Sequence, residues 1–196
     1  SKAYSSQRAR ELDTEHTRSY QAGNLRGRVQ ESSSTTHLTT ADDEGNVVTT
    51  TQTLNQMFGS RVIVPRTGML LNDCMALFDP HPGRPNSVGP GKRMVSSMAP
   101  TLVLKDGKPL FAIGTPGGIR IFASVLQAIV NVIDHGMTLQ EAVEAPRVWT
   151  QGEVVEVEGA VTPRIVQELE AKGHRVQVVP RIAGGMNGIM FDHEKG

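Results

Sequence analysis

The run Ser32-Ser33-Ser34-Thr35-Thr36-His37 sets hydroxyl side chains at the junction between a polar segment and the chain's first β-branched stretch. A threonine hydroxyl is a poor nucleophile until a base lies beside it. A chain-terminal α-amine is such a base, because it titrates near pH ~8. Thr35 could use that amine only as the first residue of a chain, which requires a cut between Ser34 and Thr35. Taken alone, such runs more often form linkers or exposed strand edges. A second stretch, Gly114-Thr115-Pro116-Gly117-Gly118-Ile119-Arg120, lacks the G-K-[ST] ending and the G-x-G-x-x-G register of nucleotide loops. At a strand-to-helix junction its consecutive glycines would leave backbone N–H groups bare where a helix N-terminus favours negative charge, which suits an oxyanion hole. A tight turn that needs glycine for packing explains the same residues equally well. Other chemistries find less support. There is no G-x-S-x-G elbow, and the six histidines show neither H-x-x-x-H nor H-E-x-x-H spacing, so no metal and no cofactor are expected. The single cysteine, Cys74, excludes an internal disulfide and a cysteine zinc site, and reads as a small buried or pocket-lining residue.

These residues need elements to hold them. Residues 35–54 are β-branched on both sides of Asp42-Asp43-Glu44-Gly45-Asn46, which predicts a hairpin with strands over 36–41 and 47–54. A Gly/Pro-punctuated stretch follows, with Leu70-Leu71 as a short buried piece and 80–90 as a loop. Two apolar runs around Asp106-Gly107 predict a second hairpin, since that pair favours the type I′ turn. From 119 to 134, Ile121, Phe122, Val125, Leu126, Ile129, Val130 and Ile133 form a helical stripe closed by Gly136. Thr138 and Glu141 have capping-box spacing, and Thr162-Pro163 opens a helix that stops at Gly173. Strands are expected over 154–157, 175–179 and 188–191. The first 34 residues read as mostly extended or mobile, with a short helix near 8–15. The fold class is α+β, strands leading and helices packed on them.

At the scale of the chain, 196 residues make one domain's length, with 20 Lys+Arg against 20 Asp+Glu. That balance argues against nucleic-acid binding and against a polybasic membrane anchor. A mean hydropathy of −0.26, with no run of about 18 apolar residues, gives no transmembrane helix. The N-terminal stretch has no apolar core and is not expected to be a signal peptide. Gly 20 and Pro 11 are high while aromatics make only 4%, so the chain has many turns and few large core anchors.

Several motifs stand together in one order. They are Thr35-Thr36-His37; Thr53-Leu54-Asn55 with Phe58-Gly59; Gly68-Met69-Leu70-Leu71-Asn72; the stretch from Gly89 through Arg93, Ser96-Ser97 and Pro100 to Thr101; Gly114 to Arg120; and Glu144-Ala145-Pro146-Arg147. In that spacing the chain closely resembles the small subunit of the gamma-glutamyltranspeptidase family, N-terminal nucleophile hydrolases that include cephalosporin acylases. The resemblance implies a four-layer α/β/β/α sandwich, with residues 1–34 the C-terminal tail of a large subunit and 35–196 the small, catalytic subunit. It implies that Thr35 is the nucleophile, freed by autoproteolysis between Ser34 and Thr35. Thr53 then matches the threonine that hydrogen-bonds the nucleophile, Asn55 a substrate-positioning residue, and Gly117 and Gly118 the oxyanion glycines. Ser96 and Ser97 match the pair that binds a substrate carboxylate, helped by an arginine of the large subunit. The implied partners are that large subunit, cut from the same precursor, and a small amide substrate carrying a carboxylate. Periplasmic or extracellular placement follows by family analogy, and the sequence itself leaves the compartment open, cytoplasm included.

One position departs from the family pattern. Where transpeptidases supply a polar and an acidic side chain to grip the γ-glutamyl α-ammonium, the register sets Cys74 and Leu77. A leucine cannot compensate an ammonium, and burying that charge unpaired is costly. The expected activity is therefore an acylase-type hydrolysis of glutaryl- or γ-glutamyl-type amides through an acyl-enzyme, glutaryl amides suiting the site better, with weak or absent γ-glutamyl transfer. Asp73 or Asp79 would restore the grip if the loop shifted. The rival readings are a true gamma-glutamyltranspeptidase or glutathione hydrolase, and an unprocessed, inactive binding protein.

Overall fold

The computed structural model describes Ser6, Ala9, Arg10 and residues 34–194. The helix expected near 8–15 and the reading of the first 34 residues lie largely outside the described residues.

β1 (Thr35–Ala41) and β2 (Val47–Thr53) form an antiparallel hairpin in which Thr35 faces Thr53 and Ala41 faces Val47. Its turn is fastened by Asp42, whose carboxylate accepts from the Glu44 and Asn46 N–H groups and from the Asn46 side-chain amide. β3 (Thr101–Lys105) and β4 (Lys108–Gly114) form the second hairpin. Its corner residues Asp106 and Gly107 both have positive φ, 51° and 77°, as the type I′ turn requires. A bulge between Val103 and Leu104 shifts the register within that pair. β8 (Asn187–Met190) adds antiparallel to the other edge of β4, giving the order β3-β4-β8. A third sheet joins β5 (Val148–Thr150), β6 (Val155–Glu158) and β7 (Val176–Val179), with β5 antiparallel and β7 parallel to β6. β5 was not expected from the sequence: three residues are too few to show a period.

β4 explains the layering. Phe111 and Ile113 on one face enter a core with Ile121, Val125 and Ala128 of α1 (Ile121–Ile133) and Ala142 of α2 (Leu139–Glu144). The opposite face meets the β1–β2 hairpin. There the His37 ring lies so close over Gly114 that a Cβ at that position would overlap it. The Asn187 side-chain amide bonds the His37 carbonyl at 3.2 Å and ties β8 to the same hairpin. Among the described residues the chain thus supplies hairpin, sheet and helices, a β/β/α stack. The capping box at Thr138 and Glu141 is formed, and α3 (Pro163–Ala171) starts on its proline.

Two expectations change. Leu70-Leu71 is not a buried piece: Leu70 is half-buried in an isolated bridge to Ile63, and Leu71 is exposed. Met57, Phe58, Val62, Ile63 and Met69 around it are exposed too, because the stretch holds only a short 3-10 turn, Cys74–Leu77, and packs little on the rest of the chain. The stripe on α1 also divides in two. Ile121 and Val125 are buried, whereas Phe122, Leu126 and Ile133 are more than half exposed. A helix apolar on both sides is built for cover on both sides.

Candidate active site

The open end of the first hairpin collects hydroxyl groups. Thr35 begins β1 and Thr53 ends β2, and their register brings the two Oγ atoms to 2.8 Å. The Thr53 hydroxyl donates to the Ser34 carbonyl oxygen at 3.2 Å, and its oxygen accepts the Asn55 N–H at 2.8 Å. A hydroxyl carries one proton. With that proton on the Ser34 oxygen, the donor between Thr35 and Thr53 is Thr35. The Ser34 oxygen takes a second bond, from the Leu54 N–H at 3.1 Å. Asn55 is buried with φ 71°, a left-handed backbone that asparagine adopts more readily than most residues.

A cavity of about 200 Å³ opens in front of Thr35. Thr35, Thr53, Asn55, Leu77, Ser96, Ser97 and Gly118 all line it, so most of the residues singled out in the sequence come together. Three stand outside the lining. Gly117 directly precedes Gly118, Ser34 precedes Thr35, and Cys74 is buried in its 3-10 turn. Burial, and then the Asp73 charge, push the Cys74 thiol above its ordinary pKa, which keeps it protonated and a poor nucleophile. Ile119, Ile121, Phe122, Val95, Met98 and Trp149 give the remaining wall its apolar character. No Asp or Glu is in that lining among the described residues.

The glycine turn leaves β4 for α1. Gly117 has φ 148° and Gly118 φ 59°, both in the region that favours glycine. A Cβ on Gly117 would come within 2.8 Å of the Ala183 Cβ, so the 182–185 loop packs directly against the turn. That loop is fastened by the Gly184 N–H to the Pro116 carbonyl at 2.8 Å, Thr115 Oγ to the Gly184 carbonyl at 3.1 Å, Arg147 to the same carbonyl at 3.3 Å, and the Ile182 N–H to the Glu158 carboxylate at 2.8 Å. Arg147 is buried, which holds its guanidinium below the usual arginine range while the Glu158 charge opposes the shift. Gly118 opens a 3-10 turn, Gly118–Arg120, at whose exit Arg120 forms a two-pronged ion pair with Glu156 at 2.7–2.9 Å and stacks 4.5 Å over Trp149. Sequence reading missed the Arg120–Glu156–Trp149 group, since its partners lie up to 36 positions apart with no local signal.

The two candidate acidic substitutes are engaged elsewhere. The Asp73 carboxylate accepts the Gln56 N–H at 3.0 Å. Asp79 is buried, and hydrogen bonds from the His81 N–H and the Arg84 guanidinium hold its carboxyl below the usual range. No cluster of metal-ligating side chains occurs among the described residues. Nor is any described helix long and apolar enough to cross a membrane.

Comparison with known proteins gives the chain's family and fold. The family model for gamma-glutamyltranspeptidase matches residues 1–195. The acylase ACY 1 proenzyme of Pseudomonas sp. (strain SE83) is 54% identical over 191 residues, 97% of this chain and 34% of that protein. The glutathione hydrolase proenzyme of Bacillus subtilis subsp. natto is 44% identical over 163 residues, 83% of this chain and 28% of that protein. Among solved structures, cephalosporin acylase from Bacillus halodurans superposes with a TM-score of 0.86 at 32% identity, covering 100% of this chain and 35% of that one. The chain therefore spans about a third of the length of the curated relatives it matches. Its fold is that of the N-terminal nucleophile hydrolases, α+β in class, and the chain belongs to the gamma-glutamyltranspeptidase family.

Proposed function

We propose that this chain is the catalytic segment of an autoprocessing N-terminal threonine amidohydrolase of the acylase type, acting on glutaryl-type amides. Residues 1–34 end the large subunit, residues 35–196 form the small one, and the large subunit completes the pocket. The observation that carries the reading is the cavity at Thr35, where a serine pair and an apolar wall that includes Leu77 meet with no carboxylate among the described lining residues. The acylase name of a relative 54% identical supports the same choice.

Self-cleavage follows from the hairpin end. Thr35 Oγ attacks the Ser34 carbonyl carbon, and the charge that develops on the Ser34 oxygen meets the Leu54 N–H and the Thr53 hydroxyl. The Ser34–Thr35 C–N bond breaks as the Thr35 nitrogen takes the proton that Oγ gave up. Water then hydrolyses the resulting ester and leaves Thr35 with a free α-amine. In the mature enzyme that amine takes the Oγ proton during attack on the substrate amide. Gly117 and Gly118 N–H groups stabilise the oxyanion, a donor of this kind contributing about 3 kcal/mol. The amine product leaves with the proton, and water releases the acid.

Substrate choice turns on Leu77. A γ-glutamyl donor brings an ammonium next to leucine, and Asp73 and Asp79 are both held in other bonds. A glutaryl group has the carboxylate without the ammonium and avoids that desolvation cost. The test compares kcat/KM for glutaryl- and γ-glutamyl-anilides on the processed full-length enzyme. The glutaryl compound should be favoured at least tenfold, roughly the effect of one unpaired buried polar group. Leu77→Asp should narrow the gap. A strong γ-glutamyl preference that Leu77→Asp barely alters would instead identify a glutathione-type donor.

A further inference from the structure

The hairpin that carries Thr35 turns one face toward β4. Directly paired residues of antiparallel strands share a face, and every second residue returns to it. That face holds Thr35 with Thr53, His37 with Thr51, and Thr39 with Thr49. His37 is the single ring among these threonines. It is buried, with Nδ1 2.9 Å from the Thr51 hydroxyl and Nε2 3.0 and 3.3 Å from those of Thr39 and Thr49.

Against the ring lies Gly114, the last residue of β4. Its φ is not positive, so the backbone there suits any residue. What requires glycine is the ring, which would overlap a Cβ. Gly114 pairs with Asn187 of β8, and the Asn187 side-chain amide donates to the His37 carbonyl oxygen at 3.2 Å. His37 thus meets both members of that pair, one with its ring and the other with its carbonyl. The joint stands two residues after Thr35 on the hairpin and three before Gly117 on the path to the glycine turn.

The two reactions of the site make different use of it. In self-cleavage the Thr35 hydroxyl, the Ser34 carbonyl, and the Leu54 N–H and Thr53 hydroxyl that meet its oxygen all lie at the end of the hairpin. In substrate hydrolysis the attacking hydroxyl is on the hairpin, while Gly117 and Gly118 follow β4. The second reaction alone needs hairpin and sheet held at a fixed separation. Oxyanion donors work when already aimed, and a misplacement of about 1 Å can cost about a hundredfold in rate.

We infer that His37 is a positioning residue, whose ring on Gly114 sets the nucleophile's hairpin against the strand that leads to the oxyanion glycines, and that this joint serves substrate hydrolysis and not self-cleavage. The assignment rests on the hydrolase reading above. It separates two reactions that share one nucleophile by the elements each must hold together.

The experiment uses the full-length precursor as wild type, Gly114→Ala, and Gly114→Ala combined with His37→Ser. The rate of Ser34–Thr35 cleavage is followed by intact mass. Then kcat and KM of the processed enzyme are measured on whichever of the glutaryl and γ-glutamyl anilides the wild type cleaves faster. Gly114→Ala, whose methyl pushes on the ring, should cleave itself within about threefold of the wild-type rate. Its kcat should fall about tenfold or more, approaching the loss of one oxyanion donor, with KM changed less than about threefold. Adding His37→Ser removes the ring and keeps a hydroxyl among the threonines. It should raise kcat at least about threefold over Gly114→Ala alone, the coupling expected of residues in contact. Should Gly114→Ala not fold, Asn187→Ala loosens the same joint from the β8 side and should lower kcat while self-cleavage keeps its wild-type rate. If self-cleavage and kcat fall together, the joint only supports the fold and the assignment is wrong. Wild-type kcat in Gly114→Ala, or a double variant no faster than Gly114→Ala, also overturns it. A wild-type precursor that neither cuts itself nor hydrolyses either anilide sinks the hydrolase reading and this assignment together. An active wild type whose variants lose both reactions alike sinks the assignment alone.

Discussion

Thr35 and Thr53 each have a hydroxyl proton whose destination decides what the residue can do. Thr53 donates its hydroxyl hydrogen to the Ser34 carbonyl, which polarises the Ser34–Thr35 peptide bond and orients Thr35 as donor toward Thr53. Below them His37 is buried with both ring nitrogens 2.9–3.3 Å from the hydroxyls of Thr51, Thr39 and Thr49. Burial holds its pKa below the ordinary 6.5. The unfolded chain therefore binds this proton more readily, and the resulting stability is fully present above pH 6.5 and is lost as pH falls below it. Denaturant unfolding should give a higher free energy at pH ~7.5 than at pH ~5.5, and His37→Gln should reduce that difference. An unchanged slope in the variant would assign the pH dependence to other groups. The hydroxyl-rich junction and the glycine pair were legible in the sequence because each chemistry needs its residue types at fixed spacing. That the Ser97 hydroxyl donates to the Gly118 carbonyl was not legible, since a serine in a loop carries no directional signal.

At the scale of elements, the turn between β4 and α1 does more than connect them. The 182–185 loop packs against Gly117 on one side, and the Arg120–Glu156 pair anchors the exit of the 3-10 turn on the other. Gly117→Ala would force a Cβ to within 2.8 Å of Ala183 and strain a backbone at φ 148°. Its expected result is a folded protein whose kcat drops about a hundredfold, as for loss of an oxyanion donor, with KM changed far less. Wild-type kcat in that variant would show that the turn tolerates displacement and takes no part in catalysis. Both hairpins and α1 could be anticipated, because β-branched runs around turn residues and a sustained apolar stripe are local patterns. β5 and the Arg120–Glu156–Trp149 group could not. The strand has three residues, and the ion pair exists only after the chain has folded back on itself.

For the molecule as a whole, the apolar surface is the telling feature. Phe122, at 57% exposure, and Leu126, at 58%, stand out from α1, and Met57, Phe58, Val62 and Ile63 stand out from the stretch after β2. A core built on Phe111, Ile113 and the inner face of α1 leaves these side chains without cover in this chain. The scarcity of aromatics in the composition has the same meaning: the large anchors are few because, on the reading proposed above, the large subunit supplies the missing layer. On the proposed mechanism the site is conditional on a cut, and that is where the central claim is most exposed. Full-length precursor should be incubated after purification and followed by intact mass and N-terminal sequencing, with Thr35→Ala alongside. Wild type should convert to two chains, the smaller beginning at Thr35 and gaining amidase activity in step with cleavage, while Thr35→Ala stays whole and inactive. Wild-type protein that keeps the Ser34–Thr35 bond, or hydrolyses amides before it breaks, would contradict an N-terminal threonine mechanism.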